Sequence, residues 1–186
     1  MKNLDLELKI RPASKEDAGL IAKVVAAAIN TEEGYALLPV FRELAEMEFS
    51  QYSFKNTLVA ENRGESVGAV VGYDGAKLQE LRHSLLTLYQ ERFGKKLEIE
   101  EETSAGEFYI DSISVLPEFR GKGIGERLLK SMIEKAIKED HVKRIMMLRQ
   151  QDFPVESIAA VYEMTSDDVE KVIRDNKNDF EWGLKD

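Results

Sequence analysis

One stretch, residues 106–137, limits what this chain can fold into more than any other part of the sequence. It opens with residues 108–115, whose side chains are mostly β-branched, aromatic or apolar, as is typical of a strand. Pro117 ends that strand because proline has no N–H to donate to a neighbouring strand. Apolar residues at helical spacing follow: Leu128, Leu129, Met132, Ile133, Ala136 and Ile137. The stretch therefore predicts a strand, a glycine-rich turn and an amphipathic helix in direct succession.

The turn, residues 120–125, predicts a binding site for an anion. Glycine stands at positions 121, 123 and 125, so a ligand can approach the main chain without meeting Cβ atoms. A helix begins there, and the free amides and positive dipole of a helix N-terminus favour phosphate. A P-loop is excluded because no Gly-Lys-Ser/Thr follows, and the dinucleotide pattern Gly-x-Gly-x-x-Gly fails because no glycine stands at the required offset.

The turn resembles the pyrophosphate-binding motif of the GNAT N-acetyltransferase superfamily, Arg/Gln-x-x-Gly-x-Gly/Ala. Arg120, Gly123 and Gly125 fill its three fixed positions, and residues 113–120 are also similar to that family. The alternative is a glycine-rich turn that binds nothing.

The resemblance implies an α/β fold with a mixed, mostly antiparallel sheet flanked by helices. It also implies that acetyl-CoA binds where the fourth strand splays from the fifth. Main-chain groups of Ile113, Ser114 and Val115 would then bind the pantetheine arm. The pyrophosphate would be held by residues of the turn: Arg120, Gly121, Lys122, Gly123, Ile124 and Gly125.

The family's reaction is direct attack of an amine on the thioester, so the protein must take a proton from the amine. A carboxylate on the central strand, partly removed from water, would have a raised pKa and could act as that base. Asp111 is the first candidate and Glu107 the second. Alternatively, Asp111 binds nearby main chain or the ammonium group of the substrate.

The apolar pattern of the central strand changes face part-way along. Phe108 and Ile110 share one parity, whereas Ile113 and Val115 share the other. This change predicts either a strand buried on both faces or a bulge near Ser112.

Composition narrows the function classes. At 186 residues the chain suits one domain with a small appendage, and no apolar run approaches the about 20 residues that cross a bilayer. The formal charge of −9 disfavours binding to nucleic acid or to anionic membranes, and suits a cationic substrate. Since the chain has no cysteine and its N-terminus has no apolar signal core, we expect no disulfide, no metal and a cytoplasmic location.

The segments before the central strand also show clear patterns. They predict a strand at 4–10, helices over 18–29 and 35–49, and a hairpin of residues 57–61 and 65–73. Ser14 and Asp17 form a capping box for the first helix, and Gly34 is expected to close that helix or its connection.

A further helix is predicted at residues 76–93, where the minimal GNAT pattern has only a short turn. This inserted helix could form one wall of the acceptor-binding site, or it could simply cover the sheet or form a dimer contact. His83 within it is expected to pack or to face solvent rather than to act in catalysis, and the acidic residues 98–102 are expected to form a solvated loop.

After the central helix the chain departs from the family pattern. Residues 142–148 predict a fifth strand, so we divide the chain into a GNAT-like core, 1–148, and a helical extension, 149–186. Pro154 and Thr165 are expected to start two short helices in that extension. These helices resemble a helix-turn-helix, but residues 152–175 carry seven acidic and two basic side chains, so DNA binding is unlikely and a packing or homodimer contact is favoured.

Two aromatic residues of the extension have alternative interpretations. Residues 159–162 resemble part of the family's Ala-x-x-Leu-Tyr motif, so Tyr162 is a candidate general acid, with packing as the alternative. Trp182 is expected to be a packing anchor.

Together these patterns predict an enzyme that transfers an acetyl group from acetyl-CoA to a primary amine of a small molecule or peptide. The alternative is a non-catalytic CoA-binding or regulatory protein with a similar fold.

Overall fold

The computed structural model describes residues 7–180, in two compact units, Met1–Ile133 and Glu134–Asp186. The described part contains four strands: β1 Leu8–Pro12, β2 Thr57–Asn62, β3 Glu65–Asp74 and β4 Phe108–Val115. It contains seven α-helices: α1 Ala18–Ile29, α2 Glu32–Ala36, α3 Leu38–Glu46, α4 Leu78–Phe93, α5 Ile124–Gln150, α6 Val155–Val161 and α7 Ser166–Phe180. Among these residues no helix is both long and apolar enough to cross a membrane.

The four strands form one antiparallel sheet in the order β1-β2-β3-β4, which confirms the predicted α/β class and the hairpin of β2 and β3. Arg63 and Gly64 join these two strands, both with positive φ, as a tight hairpin turn requires. The predicted first strand is present as β1, although Leu4 and Leu6 lie outside the described residues. Pro12 is tolerated at its end because β1 is an edge strand.

Helices cover both faces of the sheet. Neighbouring residues of β3 point to opposite sides, and each side packs against helices. Val71 packs in a cluster with α1 and α3, whose buried members include Ile21, Val25, Phe41 and Leu44. Val70 packs on the other side, against the first turns of α5 at Ile124, Leu128 and Met132. Both layers of apolar packing thus meet at the middle of β3.

The predicted capping box of Ser14 and Asp17 is present, at the 3-10 turn Lys15–Asp17 that leads directly into α1. Asp17 accepts hydrogen bonds from the Ser14 amide at 2.9 Å and from two nitrogens of Arg11 at 2.7 and 3.0 Å. Burial alone would raise the pKa of Asp17, but these contacts lower it to about 2. Glu61 and Ser66 also accept hydrogen bonds from Arg11, so the cluster joins β1, β2, β3 and the entry to α1.

The helices between α1 and β2 differ in detail from the prediction. α1 ends at Asn30, which adopts the left-handed conformation, and Gly34 lies inside α2 rather than closing α1. The predicted helix over 35–49 is present as the shorter α3, with Pro39 in its first turn. The inserted helix is confirmed as α4 and ends at Gly94, whose φ is 65°.

The predicted fifth strand at residues 142–148 is wrong, because α5 continues without a break to Gln150. No glycine or proline interrupts residues 126–150, and Lys, Arg, Met and Leu are all good helix formers. Ion pairs at i, i+4 spacing also favour the helix: Lys135 with Glu139 at 3.1 Å and Asp140 with Arg144 at 2.7 Å.

The second unit contains the two predicted C-terminal helices. Pro154 precedes α6, and the Thr165 hydroxyl accepts a hydrogen bond from the Asp168 amide at 3.1 Å to cap α7. Their buried contacts with α5 form one small core: Ile145, Ile158, Ala159 and Val169. The predicted packing residue Trp182 lies outside the described residues.

Candidate functional site

A bulge in β4 creates the centre of the site. Val71 of β3 pairs with Ser112, but its neighbour Gly72 pairs with Ile110, so Asp111 is an extra residue with no partner across the ladder. The change in apolar parity left two interpretations open, a strand buried on both faces or a bulge near Ser112, and the structure has the bulge, at Asp111. A bulge re-aims the side chain that it carries, and here that side chain is a carboxylate.

Two hydroxyl groups hold the Asp111 carboxylate. The Tyr73 hydroxyl donates to Oδ2 at 3.0 Å, and the Ser112 hydroxyl donates to Oδ1 at 2.7 Å. Removal from water raises the pKa of Asp111, and this effect exceeds the lowering by the two hydrogen bonds. Asp111 is thus a fixed carboxyl whose pKa lies above the ordinary value.

Tyrosine rings surround this carboxyl. Tyr52 and Tyr73 are buried, and Tyr109 lies edge-on to Tyr73 with ring centroids 5.9 Å apart. Burial raises the pKa of all three phenols, and the negative charge of Asp111 raises them further. All three therefore stay protonated at neutral pH and can donate hydrogen bonds without adding charge.

Arg82 is a buried cation beside the same cluster, and sequence reasoning missed it. Its side chain donates from Nη1 to the Glu100 carbonyl and from Nη2 to the Glu102 carboxylate, both at 2.9 Å. Arg82 stands four residues after Leu78 and three before Leu85, so it lies on the buried stripe of α4. That spacing could have identified Arg82 from the sequence, because a charged residue on the apolar stripe of a helix needs a partner.

Glu107, the second predicted base, is placed differently from Asp111. Its exposed carboxylate accepts hydrogen bonds from the Ser104 amide and the Thr103 hydroxyl, both at 3.0 Å. The Ser104 amide and then the Thr103 hydroxyl lower the pKa of Glu107. Glu107 thus organises the loop that leads into β4, and its lowered pKa makes it a weaker base than Asp111.

The glycine-rich turn has the features of an anion site. Gly121 and Gly123 have φ of 72° and 73°, a conformation that side chains rarely adopt. Within the described part of the chain, nothing accepts a hydrogen bond from the amides of residues 121–126. Ile124 is buried against the sheet and fixes the start of α5, so these amides are both free and held in place.

The two basic side chains of the turn contact the protein itself. Arg120 donates from Nε to the Val115 carbonyl at 2.9 Å. Lys122 lies over the Phe119 ring, 5.0 Å from its centroid, and reaches the Glu118 carbonyl at 3.3 Å. Arg120 therefore ties the turn to the end of β4, while its charge remains at the surface.

A cleft of about 220 Å³ runs beside the end of β4 and is lined by Ser114, Val115 and Arg120. Lys23 of α1 and Tyr35 of α2 complete its wall, and no pattern in the sequence pointed to either residue. Ile113, one of the predicted pantetheine-binding residues, is 39% exposed. The cleft thus brings together Ser114 and Val115 of β4 with Arg120 of the turn, whereas Ile113 and residues 121–125 do not line it.

Comparison with known families bears on this arrangement. The acetyltransferase (GNAT) family matches residues 26–163, which include β2, β3, β4, the glycine-rich turn and α6. The chain belongs to that family. It is a GNAT-type N-acetyltransferase.

Solved structures agree with this assignment. One described as an acetyltransferase is 32% identical, has a TM-score of 0.57, and covers 68% of this chain and 72% of its own. An N-acetyltransferase from Staphylococcus aureus Mu50 has a TM-score of 0.60 at 23% identity, covers 68% of this chain and 75% of its own, and supports the fold. A search of curated proteins finds no match.

Two further residues can now be placed in the enzyme. Tyr162 lies in the second unit, where its ring packs 5.3 Å from that of His141 and against the small helical core. His83 is exposed on α4, where it lines a surface hollow with Leu86 and Leu97. Tyr162 as the general acid stays a prediction, whereas the position of His83 agrees with a solvated histidine.

Proposed function

We propose that this enzyme transfers the acetyl group of acetyl-CoA to a primary amine of a small molecule or peptide, in the cytoplasm. One observation carries the proposal: the Asp111 carboxyl, with its raised pKa, stands in the same strand that leads to the anion-binding turn. A candidate base in the middle of β4 and a candidate phosphate site just beyond its end match a reaction that needs both.

The residues present fit acetyl-CoA. The amides of residues 121–126 would bind the diphosphate, because they are free and point out of a helix N-terminus. Ile113, Ser114 and Val115 would offer main-chain groups to the pantetheine arm, and the cleft at Lys23 and Arg120 adds positive charge beside it. Acetyl-CoA supplies an activated thioester, so no metal is needed for the transfer.

Asp111 would accept the proton that the amine loses as its nitrogen attacks, directly or through a water molecule. Tyr73 and Ser112 hold the carboxylate in one orientation, so the side chain does not have to be reoriented during the reaction. Glu107 is the second candidate for this role, and Tyr162 is the candidate for the acid that protonates the departing thiolate. The C-terminal helices remain candidates for a homodimer contact.

The experiment is a thiol-release assay with acetyl-CoA on a panel of small amines and lysine peptides, with the wild type and Asp111→Asn. We expect Asp111→Asn to lower kcat by about 10²- to 10⁴-fold, the usual contribution of a general base. Glu107→Gln tests the second candidate, and we expect it to keep most of the rate because the lowered pKa of Glu107 makes it the weaker base.

Two outcomes would contradict the proposal. If Asp111→Asn keeps the wild-type rate and pH profile, Asp111 is not the base. If the wild type binds acetyl-CoA by calorimetry but releases no CoA with any amine, a CoA-binding regulatory role replaces the proposed reaction.

A further inference from the structure

Arg82 joins the inserted helix to the acidic segment before β4. The residue is 3% exposed, and its two terminal nitrogens donate hydrogen bonds to the Glu100 carbonyl and the Glu102 carboxylate. The Gln79 side-chain amide donates a hydrogen bond to the Glu101 carboxylate at 2.6 Å, so α4 contacts three successive residues of this segment. A segment expected to be a solvated loop is therefore fixed against the helix.

These contacts of Arg82 lie close to the surroundings of the proposed base. Leu81, next to Arg82, packs in one cluster with Tyr73 and Tyr109, and the Tyr73 hydroxyl is the group that donates to Asp111. The acidic segment then passes Gly75, where a Cβ atom would collide with Thr103 and Ser104, and enters β4. The helix thus contacts both the acidic segment, through Arg82 and Gln79, and Tyr73, the hydrogen-bond partner of Asp111.

We propose that Arg82 is a positioning residue for acetyl transfer: it holds the Glu102 carboxylate at the turn of α4 whose Leu81 packs with Tyr73, the partner of Asp111, and so sets the charge that the attacking amine meets. The inference depends on the proposed role of Asp111 and deepens it. In this arrangement Glu102 attracts a cationic acceptor, and Arg82 limits how strongly its negative charge acts on the base.

The surroundings of Asp111 support opposite effects of these two charges. Tyr52 faces it from the segment before β2, Tyr73 from β3, and Ser112 and Tyr109 from β4, all neutral at pH 7. The charged neighbours are Glu102, whose negative charge raises the pKa of Asp111, and Arg82, whose positive charge lowers it. Glu102 is 42% exposed at its side chain, so it faces both the cluster and solvent.

The test compares Arg82→Met with Glu102→Gln in the dependence of kcat/KM on pH. A base must be unprotonated, so kcat/KM falls below its pKa. Arg82→Met should raise the pKa of Asp111 and move this acidic limb to higher pH. Glu102→Gln should move it to lower pH, because a negative charge that raises the pKa of Asp111 has been removed. The double variant should return close to the wild-type profile.

The control is Arg92→Met, on the same helix, which removes an exposed ion pair with Glu43 at 2.7 Å. It should leave the profile unchanged. Carbon-13 NMR titration of the Asp111 carboxyl measures the same shifts without relying on turnover. If Arg82→Met does not fold, Glu102→Gln alone decides, because glutamine removes the negative charge but keeps a side-chain oxygen that can accept the hydrogen bond from Arg82.

Each result has a clear meaning. Opposite shifts support the proposal. Shifts in one direction, or none in either variant, overturn it and leave Arg82 as a structural clamp only. These results are separate from the proposed reaction, which fails only if Asp111→Asn is fully active or the wild type transfers no acetyl group.

Discussion

At Asp111 opposing effects act on one carboxyl group. Burial raises its pKa, while hydrogen bonds from Ser112 and then Tyr73 lower it. Burial has the larger effect, so the folded protein holds a carboxyl that gains its proton more readily than an ordinary aspartate. Because each pKa unit corresponds to about 1.4 kcal/mol, removing one hydrogen bond should shift the profile measurably.

The substitution Tyr73→Phe removes the hydroxyl that donates to Asp111 but keeps the buried ring. We expect the pKa of Asp111 to rise, because a hydrogen bond to the charged form has been lost. The acidic limb of kcat/KM should therefore move to higher pH, which a pH-rate series measures. Tyr109→Phe is the control, since Tyr109 contacts Tyr73 through its ring; an equal shift in both variants would contradict the specific role of the Tyr73 hydroxyl.

The sequence located Asp111 but not its neighbours. The change of apolar parity between Ile110 and Ile113 predicts the bulge, because parity is a local property of one strand. Which residue of β3 stands opposite depends on strand register, and the intervening α4 hides that register in the sequence. Tyr73 and Arg82 are consequently found only when β3, α4 and β4 are packed together.

Among the elements, the turn between β4 and α5 depends most on glycine. Gly121 and Gly123 have positive φ, whereas Gly125 has ordinary helical geometry and room for a methyl group, its Cβ position lying 4.0 Å from Val115. The three glycines look alike in the sequence. The structure separates two that the conformation requires from one that it does not.

Gly121→Ala and Gly123→Ala should each weaken acetyl-CoA binding, because a Cβ atom in the left-handed region costs about 1–2 kcal/mol. The loss should be about five- to thirty-fold in Kd if the turn relaxes away from that conformation. Gly125→Ala should bind nearly as well as the wild type. Isothermal titration calorimetry with acetyl-CoA measures this, and equal losses in all three variants would show that space, not conformation, sets the requirement.

Helix α5 is the element that sequence patterns described least well. A strand over residues 142–148 would place Ile145 and Met147 on the same face. The helix instead buries Ile145, at 1% exposed, and leaves Met147 at 52%. The short apolar run Ile-Met-Met-Leu fits either structure, and only its continuation from the preceding helix decides between them.

Ile145→Ala should destabilise the protein by about 2–4 kcal/mol, as large-to-small changes in a core do. Met147→Ala should change the free energy of unfolding by less than about 0.5 kcal/mol, because its side chain is half exposed. Urea unfolding followed by circular dichroism measures both values. Similar losses for the two variants would indicate a strand.

For the whole molecule, acetyl-CoA should stabilise the fold when it binds, because the turn proposed to hold its diphosphate forms only when the sheet and α5 are folded. At acetyl-CoA concentrations 100 times Kd, linkage gives about 2.7 kcal/mol of added stability. For a chain of this size, that corresponds to a rise in Tm of roughly 5–10 °C.

Differential scanning calorimetry with acetyl-CoA measures this rise. Pantetheine is the matched control, since it lacks the diphosphate that the turn would bind, and it should raise Tm far less. Equal effects of the two ligands would place the binding energy in the cleft beside β4 rather than at the turn.

The bulge also bears on how this enzyme could gain or lose its activity. Shortening a strand by one residue ordinarily turns every side chain beyond the cut to the opposite side of the sheet. At one position of β4 a deletion would not have this effect, because Asp111 is an extra residue that has no partner in β3. A deletion there would leave Ile110 and Ser112 in an unbroken ladder. One codon therefore separates a strand that carries the proposed base from a regular strand, while the pairing of the rest of the sheet is unchanged.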